Sequence, residues 1–206
     1  MAKRKLFTLF FIQLFLLGIG GSVVGPLIPI LSDSLKVNLD IVGSTLPLNA
    51  FGILVASLFS GILSERLGKR NVFTLGSILF TVSFLSLYLS SNFILFTLSY
   101  LVFGISWGTI LVNSNSIISD SFELNRSKAI IRLNIGFLLG TAFAPLIVSG
   151  ILFLNVSWRY IFLFLALTNA ILFILILLFK YESLEKKEAK KILSVFFPTT
   201  VSFYQT

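Results

Sequence analysis

Any chemistry in this chain has to come from carboxylates, amides, hydroxyls and basic side chains, because its 206 residues include no Cys and no His. That excludes disulfides, thiol redox chemistry, Cys/His metal sites and an imidazole relay working at neutral pH. No nucleophile–base pair and no metal cluster can be assembled from the remaining types, so an enzyme has no supporting motif and no cofactor is expected. Charged residues deep in apolar segments would mark coupling sites, and none is found. Asp33 and Asp40 stand near the ends of apolar runs, where water reaches them. What remains is neutral polar chemistry. On a helical wheel of the fourth apolar run, Tyr100, Gly104, Trp107, Gly108, Leu111, Ser114 and Asn115 fall within about 120°. That stripe combines aromatic faces, small gaps and hydrogen-bonding groups. Gln13, in the first run, is a second polar candidate. The competing reading is that the small residues pack helices and the polar ones bond across them. Asn113 lies about 200° from Asn115 on the same wheel, and Asn49, Asn134 and Asn169 are assigned to packing.

The elements that must carry these residues are legible from hydropathy. AVILMFWYC residues make up 56% of the chain, DEKR only 12%, and the mean hydropathy is +1.01. A soluble domain needs roughly a quarter of its residues charged, whereas lipid does not. A helix needs about 20 apolar residues to cross about 30 Å of hydrocarbon. Six runs qualify, at 6–31, 42–64, 71–90, 93–118, 129–152 and 159–180. They are too long for strands and lack period-two alternation. Lys3-Arg4-Lys5 before an apolar run imitates a secretory signal, but the run is too long for a signal core and lacks a convincing cleavage site.

Loop by loop, 14 of the 16 basic residues fall on one side of the membrane and only Lys36 and Arg159 on the other. The positive-inside bias therefore places both termini in the cytoplasm. An odd number of crossings would break this alternation. The net charge of +8 is then a topology signal. It leaves no basic surface for nucleic acid, and contact with anionic lipid is a minor addition. The expected organisation is a transmembrane bundle over 1–180 and a charged cytoplasmic linker over 181–191. Residues 192–206 are expected to be the truncated start of a seventh helix or an interfacial segment.

Two segments echo each other. Gly61-Ile62-Leu63, six residues, then Arg70-Asn71-Val72-Phe73 is matched by Gly150-Ile151-Leu152, six residues, then Arg159-Tyr160-Ile161-Phe162. The charge alternation puts them on opposite faces, as two three-helix units of inverted topology would. Chance identity in an apolar sequence is the alternative.

The loop Gly61-Ile-Leu-Ser-Glu65-Arg66-Leu-Gly68-Lys69-Arg70 resembles the Gly-x-Leu-x-Asp-Arg-x-Gly-Arg-Arg/Lys signature of major facilitator transporters, with Glu65 for Asp and Lys69 for Arg. Asp120, Arg126 and Lys128 are similar to that family's loop between helices 4 and 5. Trp158-Arg159-Tyr160-Ile161-Phe162 is similar to the start of its helix 6. Gly136, Gly140, Ala144 and Pro145 permit close packing and partly match the Gly-x-x-x-Gly-Pro signature of the family's antiporters; Ala144, Val148 and Ser149 depart from it. The resemblance implies an all-α polytopic fold of six helices in a 3+3 inverted repeat, one half of the family's architecture. It implies that the 61–70 loop meets a second half and sets the conformational equilibrium, and that helices 1 and 4 line a cavity. Gln13, Tyr100, Trp107, Ser114 and Asn115 would then face solute, with Trp107 and Asn115 foremost. The family's helix 4 arginine falls on Tyr100, which puts proton coupling through that device in doubt.

The implied activity is movement of a small organic solute by alternating access at the plasma membrane, with drug efflux by antiport a narrower form. That mechanism needs two bundles, so two further readings stand. The chain is a fragment with no activity alone, or it pairs with a second six-helix half or with its own copy.

Overall fold

The computed structural model describes residues 2–178, so the linker and the seventh-segment assignments lie outside the described residues. Among these there are eight α-helices and no strand. Helices α1 (Ala2–Ser22) and α2 (Val24–Leu35) make the first crossing, and α3 (Leu39–Gly43) leads into α4 (Thr45–Leu67), the second. Helices α5 (Lys69–Leu89), α6 (Phe93–Ser121), α7 (Arg126–Phe153) and α8 (Arg159–Leu178) complete a set of six long, apolar crossings. The chain is a multi-pass membrane protein. The face bearing the start of α1 is called the N-terminal face below.

Helices are the solution that satisfies every backbone donor and acceptor within each segment, which hydrocarbon demands. Local chemistry sets their ends. Asn92 caps α6, its side-chain oxygen accepting from Leu95 N at 2.8 Å. Gly68, at φ 85°, joins α4 to α5 in a conformation that β-carbon sterics deny to other residues. The first apolar run, read as one helix, divides at Val23. Pro26 lacks the N–H that would bond Ser22, and its ring crowds that carbonyl.

The crossings pair in a particular pattern. Helix α1 lies along α7, and α4 along α6, each pair running in the same direction; α5 packs on α6 and on α8. Exchanging the first three crossings with the last three turns the α1–α7 pair into the α4–α6 pair and maps α5–α8 onto itself. This is the pairing of a 3+3 inverted repeat. Both parallel pairs are closed in one way. A β-carbon on Gly140 would overlap the carbonyl oxygen of Phe15, and one on Gly104 that of Asn49. Because lipid tails are as apolar as the side chains, such close van der Waals packing drives association in place of the hydrophobic effect.

The core fills with aromatic rings. Phe80 and Phe84 stack at 4.5 Å, Phe103 meets Phe84 edge-on at 4.7 Å, and Phe96 and Phe162 extend the cluster. All five are fully buried.

Candidate functional site

Buried amides stitch the bundle. Gln13, from α1, donates to Asn169 Oδ1 on α8 at 2.8 Å. Asn169 in turn donates to Ser77 O at 3.0 Å and Thr81 Oγ1 at 2.9 Å on α5. Gln13 and Asn169 have no exposed surface. Asn113, on the far side of α6, donates to Ser60 Oγ on α4 at 2.7 Å, and Asn49 donates to Tyr100 O at 2.7 Å.

The wheel stripe on α6 is divided between neighbours. Gly104 and Gly108 sit against the α4 backbone at Asn49 and Ile53. Tyr100 and Ser114 are buried. Trp107, Leu111 and Asn115, one turn apart, are half-buried, and Trp107 and Asn115 meet α7. There Asn134 donates to Asn115 Oδ1 at 3.1 Å, and Phe137 lies 5.6 Å from the Trp107 ring. Phe103 flanks the indole at 5.7 Å, and Gly21 of α1 leaves the room that the indole occupies. Two aromatic rings and two neutral amides thus share a partly open surface where α1, α6 and α7 meet. Asn134 and Phe137 were not among the sequence candidates for this surface. The signal was available, since Asn134 is the one amide of an apolar run beside the small-residue positions of α7.

Those positions do meet α1: Gly136 against Phe11 and Gly140 against Phe15. Ala144 is buried below them, while Pro145 is exposed.

The 61–70 segment, expected as a loop, lies at the N-terminal face and is helical except at Gly68: residues 61–67 continue α4, and Lys69 and Arg70 begin α5. Lys69 Nζ pairs with Asp120 Oδ2 at 2.6 Å, joining α5 to the end of α6, and Arg70 Nη2 donates to Leu177 O at 3.2 Å near the end of α8. Glu65 and Arg66 are exposed, as are Arg126 and Lys128 beyond the short 3-10 turn Glu123–Asn125. Among the described residues, a β-carbon on Gly61 would meet nothing within 4 Å.

The opposite face carries a second knot. Arg159 Nη2 donates to Ser90 O at 2.8 Å, and its guanidinium lies 4.5 Å from the Trp158 ring centroid. Trp158 Nε1 donates to Ser34 Oγ at 3.3 Å. Among the described residues no three His, Cys, Asp or Glu side chains converge to hold a metal ion.

Set beside known proteins, the chain is 28% identical over 145 residues to the quinolone resistance protein NorA of Staphylococcus aureus, 67% of this chain and 37% of that one. It is 29% identical over 181 residues to the uncharacterized transporter mfc1 of Schizosaccharomyces pombe, 84% of this chain and 36% of that one. The chain therefore spans little more than a third of the curated relatives it matches. Two crystal structures of the peptide transporter POT, one in complex with sulfate, superpose over 93% of this chain and 44% of theirs. Their TM-scores are 0.75 and 0.73, at 18% and 17% identity, a likeness of fold. The profile of the Major Facilitator Superfamily matches residues 10–202. With six apolar crossings paired as an inverted repeat and that match over most of its length, the chain belongs to the Major Facilitator Superfamily.

Proposed function

We propose that the chain forms one wall of a plasma-membrane transporter that moves a small organic solute by alternating access. The observation that carries this reading is the surface of Trp107, Phe137, Asn115 and Asn134, partly open and free of charge at the junction of α1, α6 and α7. Aromatic faces bind flat apolar solutes, and a few amides orient them. With no carboxylate or cation among these four side chains, the solute they suit is neutral or carries a delocalised charge.

Alternating access rocks two bundles about a site between them. The second wall is another six-helix half or a second copy of this chain. Helices α4 and α7 support that requirement, since only 22% of the most apolar window of each is buried in the bundle. Gly61 and Gly150 point the same way, since both leave open space at equivalent places in the repeat. The 61–70 loop, with Glu65 and Arg66 exposed, is the part that meets this second wall and biases the equilibrium. The distribution of basic residues supports a topology with both termini in the cytoplasm. Efflux by antiport is the finer reading. It draws on the likeness to NorA, named for quinolone resistance, and on the partial Gly140-x-x-x-Ala144-Pro145 motif. Tyr100 at the family's arginine position leaves coupling to other groups.

The test is accumulation of a fluoroquinolone and of a neutral aromatic dye in proteoliposomes. They would hold the chain alone, or the chain co-purified with any six-helix partner found beside it, and native mass spectrometry would report the oligomeric state. Gradient-driven movement that Trp107→Ala and Asn115→Ala each reduce is the expected result. Movement equal in the variants rejects the site. No movement by the chain alone, but movement by the paired form, establishes that the chain is an inactive half until joined.

A further inference from the structure

Two pairs of adjacent residues, Lys69-Arg70 and Trp158-Arg159, occupy the same place in the two repeats, the start of α5 and the start of α8. Two contacts of each pair correspond. Arg70 donates to the carbonyl of Leu177 of α8; Arg159 donates to the carbonyl of Ser90, the C-cap of α5. Lys69 reaches Asp120, next to the last residue of α6; Trp158 reaches Ser34, next to the last residue of α2. Helix α6 and the α1–α2 crossing are themselves the repeat-related pair. One face therefore repeats the other, with an indole in place of an ammonium and a serine in place of a carboxylate.

We infer that Trp158 and Arg159 form a second fastening, at the face opposite the 61–70 loop. It holds the ends of α2, α5 and α8 together as Lys69 and Arg70 hold α5, α6 and α8. The physical reason lies in the helix ends. The last carbonyls of a helix have no intrahelical donor and carry its partial negative charge, whereas a cation at a helix start opposes that helix's own dipole. Arg70 and Arg159 both sit at such unfavourable starts, and each turns to a backbone carbonyl of the antiparallel neighbour; for Arg159 that carbonyl belongs to Ser90, the C-cap of α5. Two such bonds, one at each end of the α5–α8 pair, restrain it against splaying at either face. Trp158 is nearly buried, set edge-on to Phe96 at 6.3 Å and to Phe162 at 5.7 Å, so the outer fastening is anchored in the aromatic core. Trp158 and Arg159 are thus positioning residues. They keep the bundle one body, and that body is what the transport reading needs to rock, though the fastening itself does not depend on transport.

Amide hydrogen exchange read by mass spectrometry, on the full chain in nanodiscs and without solute, tests this. Arg159→Gln is expected to speed exchange about tenfold in the last turn of α5 and the first turn of α8, leaving 69–73 and 174–178 unchanged, since one charged hydrogen bond accounts for roughly that factor. Arg70→Gln is expected to give the mirror pattern. Trp158→Phe, which keeps the ring and loses the Ser34 bond, is expected to loosen the end of α2. Arg159→Lys keeps a donor for Ser90 and is expected to restore most of the protection; it carries the comparison if the Gln variant does not fold. Equal loosening at both faces, or none at either, overturns the inference.

Discussion

Gly140 of α7 lies so close to Phe15 of α1 that a β-carbon on it would overlap the Phe15 carbonyl oxygen. That contact makes Gly140→Ala a disruptive small change in the α1–α7 pair, as Gly18→Ala is against Phe137 O, because in both the obstacle is backbone. The expected cost is about 1–3 kcal/mol of overpacking, seen as a lower thermal midpoint in detergent. Gly104→Ala, against Asn49 O in the repeat-related pair, is expected to behave alike. Gly150→Ala, with open space before it, is expected to leave the midpoint unchanged or raise it slightly, since Ala is the better helix former by about 1 kcal/mol. Equal midpoints for Gly140→Ala and Gly150→Ala would refute the packing argument.

Lys69 and Asp120 are each about one-third exposed, at 34% and 33%. Water therefore screens the pair, and its contribution falls in the range of about 0.2–1 kcal/mol typical of exposed ion pairs. Asp120→Asn is expected to lower the midpoint slightly at low salt. At about 1 M salt, where the screening length is about 3 Å, the variant and the parent are expected to converge. Differential scanning fluorimetry across a salt series measures this. A gap that persists undiminished at high salt would mean the Asp120 carboxylate acts through something other than its charge.

How far the sequence carried this picture depends on the physical signal behind each reading. Crossings follow from the length of apolar runs, a property of composition, and the observed ends lie within a few residues of those expected. The bend at Val23 had its signal in Pro26 but was outweighed by the unbroken apolar run. The α6 stripe was less legible. A sector of about 120° is wide enough to serve two neighbours, so Gly104 and Gly108 went to α4 while Trp107 and Asn115 turned to α7. Residue type cannot say which helix covers which side. Gln13 shows the same limit, since an amide suits a solute surface and a buried bond to Asn169 equally well until neighbours are placed. The Arg70–Arg159 echo was visible as letters. Its meaning, two reciprocal bonds between α5 and α8, needed the partner helices in place.

Asn169 is the hub of the buried amide network, bonded to Gln13, Ser77 and Thr81. Asn169→Leu strands the Gln13 amide, whose Oε1 already has no partner among the described residues, and the cost is about 1–2 kcal/mol. Gln13→Leu is expected to cost less, because Asn169 keeps both of its α5 acceptors. The double variant removes the stranded group, so a double-mutant cycle is expected to show positive coupling of about 0.6 kcal/mol, the usual size for interhelical hydrogen bonds in membranes. Strict additivity in the cycle would show that the two amides do not communicate.

Trp107 owes its place to Gly21, since a β-carbon there would overlap the six-membered ring of the indole. The obstacle is a side chain, so the change moves the ring instead of breaking the fold. Phe103 and Phe137 hold the indole on either side, at 5.7 and 5.6 Å, and the direction left to it is toward the open surface. The chain has two tryptophans, so in a Trp158→Phe background Trp107 is the sole indole. Gly21→Ala in that background is expected to shift its emission to the red as the ring gains contact with water, while the thermal midpoint changes little. If the Trp107–Asn115 surface binds solute, a flat aromatic probe is expected to quench the single-indole parent and to quench its Gly21→Ala variant more weakly. Unshifted emission would mean that Gly21 does not seat the indole. A red shift with undiminished quenching would separate the seat of the ring from its use in binding.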